Sequence, residues 1–137
     1  MLRLSVVTPL KKIVTDLEVE EVFVPAHVGE LNILDGHAAL VTTLSTGILK
    51  YRVKGSSTLR AAAISWGYCE VSQGVVSILA ETAESPDEVD KDRALQSEKK
   101  ALERLAAADI EPLEIEKYTK KLARAQARLQ MTKDFTH

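Results

Sequence analysis

All six glycines, Gly29, Gly36, Gly47, Gly55, Gly67 and Gly74, lie in the first 84 residues of this 137-residue chain, and none follows. Across the same boundary, charged residues rise from 16 of 84 to 22 of 53. Glycine reaches the turn conformations that join short strands, whereas a glycine-free, charge-rich stretch sustains long helices. Such a chain predicts two domains: a β domain over residues 1–84 and a helical one over 85–137, joined at Ser85-Pro86.

The first segment carries strand patterns throughout. Leu2, Leu4 and Val6 alternate with Arg3 and Ser5, the period of a strand with one buried face. Val22-Phe23-Val24 is a short apolar run that Pro25 is expected to stop. Leu49, Tyr51 and Val53 alternate before the turn Gly55-Ser56-Ser57, and Leu59 to Ile64 returns. Gly67 to Val71 and Val75 to Ala80 flank a further hairpin turn at Ser72-Gln73-Gly74. About ten short strands arranged as a β-sandwich are predicted. Aromatics make up only 4% of the chain, so aliphatic packing must form the core, and Cys69, alternating within a strand, reads as a buried small hydrophobe.

The second segment predicts an antiparallel two-helix hairpin. Ser85-Pro86-Asp87-Glu88 has the spacing of a capping box with proline at the first helical position. Helix one is expected over about 86–108, burying Leu95, Leu102 and Leu105, before a break at Asp109 to Pro112. Helix two, over about 112–132, places Ile115, Tyr118, Leu122, Ala125 and Leu129 on one narrow apolar stripe. Charge is segregated here: Ser85 to Glu116 sums to −5, while Lys117 to His137 sums to +5. Side by side the helices would attract each other; apart, the second is a basic rod suited to an acidic partner.

The whole-chain charge of −2 argues against a nucleic-acid binder. The uncharged run Gly36 to Leu49 is shorter than the ~18 residues of a membrane span, and early charges disfavour a secretory leader. One cysteine allows neither an internal disulfide nor a cysteine-based zinc cage, so a soluble intracellular protein is expected. Neither a phosphate-binding loop nor a nucleophile elbow is present, and His27, His37 and His137 lack ligand spacing. The acids Asp87, Glu88, Asp90 and Asp92 fit a helix start better than a calcium loop.

Val24-Pro25, the stretch Gly29-Glu30-Leu31-Asn32-Ile33-Leu34-Asp35-Gly36-His37-Ala38, Gly67 to Val71, Ala80 to Glu84 and Val89 to Ala94 together resemble the epsilon subunits of F-type ATP synthases over essentially the whole chain. Departures are few: Asp35 stands where proline is common, Ala26 and Trp66 where glycine is, and Val89 where isoleucine or leucine is usual. The resemblance implies a non-catalytic central-stalk subunit of the proton-translocating synthase, peripheral on the cytoplasmic face of the bacterial membrane without inserting into it. The sandwich would contact the gamma subunit and the c-ring, with Glu30 and His37 on loops at that contact. The hairpin would fold on the sandwich or extend towards the alpha and beta subunits and restrain ATP hydrolysis.

The resemblance requires no cofactor but implies a regulatory ATP site in some bacterial members, around Val89-Asp90-Lys91-Asp92-Arg93-Ala94. Carried over here, the site would comprise Glu84, Val89, Asp90, Arg93, Ala94, Arg124 and Arg128. Carboxylates can accept from an adenine amino group and guanidiniums can neutralise phosphates. Lys100 stands where an arginine would be expected, and the alternative for Asp90 and Arg93 is a helix-start pair. An ATP-sensing module, or an adaptor binding acidic partners through Lys117 to Lys133, are the alternative functions.

Overall fold

The computed structural model describes residues 1–135; His137 lies outside them. Seven strands, rather than about ten, build the first domain: β1 Leu2–Val7, β2 Lys12–Ala26, β3 Gly29–Leu34, β4 Leu40–Leu44, β5 Gly47–Val53, β6 Leu59–Ser72 and β7 Val75–Glu84. The difference lies in β2 and β6, which are 15 and 14 residues long and continue through a bend instead of dividing into shorter strands. The bends use positive φ at Asp16 (47°) in β2 and Trp66 (40°) in β6. Pro25 does not end β2: it pairs with Glu30, and its carbonyl accepts from the Ser45 N–H at 2.9 Å. A proline within a strand forfeits only its own donor.

Each long strand serves two neighbourhoods. The first half of β2 pairs with β1, and its second half lies between β3 and β5. Strand β6 pairs with β5 over Leu59–Ile64, then with β4 over Gly67–Val71, while β7 follows its other edge. Because β1 is antiparallel to β2 and parallel to β7, the ladder closes through β1, β7, β6, β5 and β2. The result is a β-sandwich whose inner positions, including Leu4, Val22, Val24, Ile33, Leu49, Val71 and Ile78, are fully buried. Each such side chain contributes about 1.5–3 kcal/mol of transfer free energy. Cys69 lies in this core, where burial pushes its thiol up to about 11.

The second domain differs from its expected outline at the start. Pro86–Glu88 forms a single 3₁₀ turn, Val89 is extended (φ −80°, ψ 124°), and helix α1 spans Lys91–Leu105. Asp90, not Ser85, caps α1, its carboxylate accepting from the Arg93 N–H at 3.1 Å. Val89 is drawn out of the helix because its side chain packs with Ala61, Ala63 and Met131. Helix α2 spans Pro112–Phe135, past the expected end near 132. Arg104, bonded to Glu114 at 2.7 Å, pins the connection.

The buried face of α1 is also different. Leu95 and Leu102 are 45% and 50% exposed and Leu105 is half-buried, while Ala94 and Ala101 form the seam against α2. Small residues let two helix backbones approach closely, so alanines fill a seam that leucines would hold apart. On α2, Tyr118 and Ala125 are buried and Leu122 and Leu129 half-buried, but Ile115 is 46% exposed near the turn. Met131 and Thr132 are buried as well, because α2 has a second seam against β5 and β6.

Gly67 tests the bend in β6. A Cβ there would stand 1.7 Å from the Leu79 carbonyl oxygen, with backbone on both sides of it. Gly67→Ala is expected to cost about 3 kcal/mol or more in urea unfolding, and a loss within 0.5 kcal/mol would show that the strands separate freely there.

Candidate functional site

Where β7 runs out into Ser85-Pro86, the chain turns under the first residues of α1, and α2 passes across both. A cleft of about 440 Å³ lies between them, and Glu84, Asp90, Arg93, Ala94, Arg124 and Arg128 line it. Six of the seven residues assigned by resemblance therefore share one cleft. Val89 does not line it; its side chain seals the apolar layer beneath. Glu88, read from sequence only as a helix-start acid, also lines the cleft, as do Ser97 and Lys121, which the sequence did not single out. Helical periodicity contained the signal, since Ser97 follows Arg93 by one turn and Lys121 precedes Arg124 by three residues.

Ion pairs with the sandwich hold the two arginines of α2. Arg128 Nε donates to Glu84 Oε1 at 2.7 Å, and its Nη2 lies 2.6 Å from the same oxygen. Arg124 Nη2 donates to Glu81 Oε1 at 3.2 Å. The attraction expected between the two helices is thus made mainly between α2 and β7. At the hinge, the Glu88 carboxylate accepts from the Ser85 N–H at 3.1 Å and the Ser85 hydroxyl at 3.0 Å, and it pairs with Lys11. Lys11 first, and the Ser85 N–H second, hold the Glu88 carboxyl below its ordinary range.

Glu30 and His37 stand apart from this cleft and from each other. Glu30 is the second residue of β3 rather than a loop residue, and it pairs with Lys50 at 3.2 Å. His37 follows the other end of β3, where its N–H donates to the Leu34 carbonyl at 3.1 Å and its Nδ1 lies 2.7 Å from the Ala38 carbonyl. The strand between them spans about 13 Å at ~3.3 Å per residue. Both are exposed.

A larger apolar groove of about 840 Å³ was not foreseen. It lies on the outer face of β6 and β7 and is walled by Val7, Pro9, Leu44, Trp66, Tyr68 and Leu79. Tyr68 and Leu79 face each other across the ladder and are 58% and 55% exposed. Alternation carried the clue, since a buried Cys69 forces Tyr68 outward. Among the described residues no group of three or more His, Cys, Asp or Glu could hold a metal ion, and no helix is long and apolar enough to cross a membrane.

Residues 1–86 match the family model described as ATP synthase, Delta/Epsilon chain, beta-sandwich domain. The chain is 50% identical over 108 residues to the ATP synthase epsilon chain of Bdellovibrio bacteriovorus, covering 76% of this chain and 77% of that one. It is 38% identical over 130 residues to the epsilon chain of Geotalea daltonii, covering 95% and 92%. Among solved structures, a chain of the Euglena gracilis mitochondrial ATP synthase (OSCP/F1/c-ring) superposes with TM-score 0.82 at 21% identity, covering 99% of this chain and 81% of that one. A chain from the central stalk/c-ring of the Tetrahymena thermophila mitochondrial ATP synthase gives 0.63 at 22%, covering 98% and 96%. These two structures establish the likeness of fold.

The site geometry leads to two expected outcomes. Arg128→Ala removes a half-buried, charge-assisted contact worth about 1.4 kcal/mol, so thermolysin cleavage within α2 of the native chain, at apolar sites that the substitution leaves in place, should quicken about tenfold. Unchanged cleavage would mean that this pair does not hold α2. The Glu88 tether has a depressed folded pKa, so its contribution is complete above the unfolded value near 4.5 and fades as pH falls through the lower folded value. Glu88→Gln should flatten that acid limb in urea midpoints measured against pH; an identical limb would assign it to other carboxylates.

Proposed function

The chain belongs to the ATP synthase delta/epsilon family, and from this membership we propose that it couples rotation to ATP synthesis and restrains ATP hydrolysis through a movable helical hairpin. It is a non-catalytic, peripheral subunit of the central stalk of an F-type ATP synthase. The sandwich is the fixed platform in this reading. Its apolar groove, with Tyr68 and Leu79 exposed, suits docking on the gamma subunit, since contiguous exposed apolar surface marks interaction sites. Glu30 and His37, polar and exposed at the two ends of β3, suit contact with the c-ring on the cytoplasmic side of the membrane.

One observation carries the regulatory part. The hairpin lies folded on the sandwich, yet Met131 is its only fully buried large side chain on that seam among the described residues. Charged contacts complete the interface: the half-buried Arg128–Glu84 pair contributes about 1.4 kcal/mol and the more exposed Arg124–Glu81 pair less. A hairpin so held can leave the sandwich intact and present Leu95, Leu102 and the basic face of α2 to the alpha and beta subunits. Deleting residues 85–137 should raise ATP hydrolysis by the assembled complex severalfold; an unchanged rate would remove the inhibitory role and leave the coupling role.

A second reading, regulatory ATP binding, is favoured by the cleft that gathers Glu84, Asp90, Arg93, Arg124 and Arg128. Its 440 Å³ falls within the ~300–1,000 Å³ range of small-molecule sites. Triphosphate would compete with Glu81 and Glu84 for the two arginines, so bound ATP would exchange their ion pairs for charge-assisted contacts of its own. Titration with ATP should shift the Arg93 and Arg124 amide resonances of the full chain. No shift at millimolar ATP would reject this reading.

A further inference from the structure

Trp66 is the only tryptophan in the chain, and its backbone sits at φ 40°, a region that bulky residues enter only under constraint. The position falls where β6 exchanges β5 for β4 as its neighbour. Its ring, half-buried, meets two cations one helical turn apart on α2: Lys120 Nζ lies 4.9 Å and the Arg124 guanidinium 5.1 Å from the ring centroid. Both separations fall within the ~6 Å range of cation–π attraction. Arg124 also bonds Glu81, while its buried Nε has no hydrogen-bond partner among the described residues. Ring and carboxylate therefore hold that guanidinium together.

Removing α2 would leave the strained backbone conformation without the contacts that accompany it. Backbone strain of this kind persists where surrounding structure over-determines it, and it concentrates at switches. We propose that Trp66 is a latch: the bend in β6 presents its ring to Lys120 and Arg124 and so sets how readily α2 leaves the sandwich. The inference rests on the movable hairpin proposed above and adds the residue that governs its release. The latch also reaches the rotor-facing groove, because Trp66 and Glu81 line that groove as well as gripping Arg124.

The test is native-state hydrogen exchange on the full chain. In Trp66→Gly, amides of Ala125 to Thr132 should exchange about tenfold faster, while those of Leu4 and Ile78 in the sandwich stay unchanged or slow, since glycine accepts positive φ without strain. In a Lys120→Ala/Arg124→Ala background the same substitution should add less than threefold. Trp66→Phe, which keeps a ring, should fall between Trp66→Gly and the parent chain. No acceleration in Trp66→Gly, or a full tenfold effect without the two cations, overturns the latch. Exchange of α2 only in concert with Leu4 and Ile78 in the unsubstituted chain overturns the movable hairpin itself, and the latch falls with it.

Discussion

The hairpin is held to the sandwich by a small apolar patch around one fully buried methionine, by the Trp66 ring and by a row of charges, and the behaviour of the molecule follows from that imbalance. Met131 fits against Ala61 and Ala63, with Ile48, Val89 and Phe135 half-buried around it. Full burial of such a side chain is worth about 1.5–3 kcal/mol. Beside it, Arg124 and Arg128 reach Glu81 and Glu84 on β7. The sandwich core, by contrast, closes around Leu4, Val22, Val24, Ile33, Leu49 and Ile78 with no side chain from the second domain among the described residues. Stability is therefore unequally distributed, and the weaker unit is the one to which we assign the regulatory role.

Polar docking also explains why the charge segregation of the hairpin takes the form it does. The acidic stretch and the basic helix were expected to pair with each other, yet α1 meets α2 mainly through Ala94 and Ala101. Lys120, Arg124 and Arg128 turn instead to the sheet, and Lys121 lines the cleft beside it. Arg124 and Arg128 are paired with Glu81 and Glu84 in the folded hairpin, and in the proposed departed state the same arginines would be offered to an acidic partner. Near-neutrality of the whole chain conceals this arrangement, because the opposing charges lie on separate segments.

Much of the fold was legible because its signals are local. Period-two alternation located β1, the Ser72-Gln73-Gly74 turn separated β6 from β7, and the loss of glycine after Gly74 foreshadowed the change from strands to helices. Strand number was not legible, because Asp16 and Trp66 make bends that redirect a strand without ending it, and a lone aspartate or tryptophan does not distinguish a bend from a turn. Nor was the seam of α1. Leu95 and Leu102 outrank alanine in hydrophobicity, but close helix packing on a single neighbour favours Ala94 and Ala101. Most of the candidate cleft was readable through resemblance, whereas Lys121, Ser97 and the apolar groove depend on which elements the fold brings side by side.

The central claim is that restraint of hydrolysis requires the hairpin to leave the sandwich while the sandwich stays in place. It is tested most directly in the assembled complex with Glu81→Cys and Arg124→Cys joined by a short reducible cross-linker, which the buried, high-pKa Cys69 would not intercept. Locking the hairpin down should raise ATP hydrolysis to the rate of the hairpin-deleted complex, and reduction should restore the restraint. Equal rates before and after reduction, with the cross-link confirmed, would contradict it.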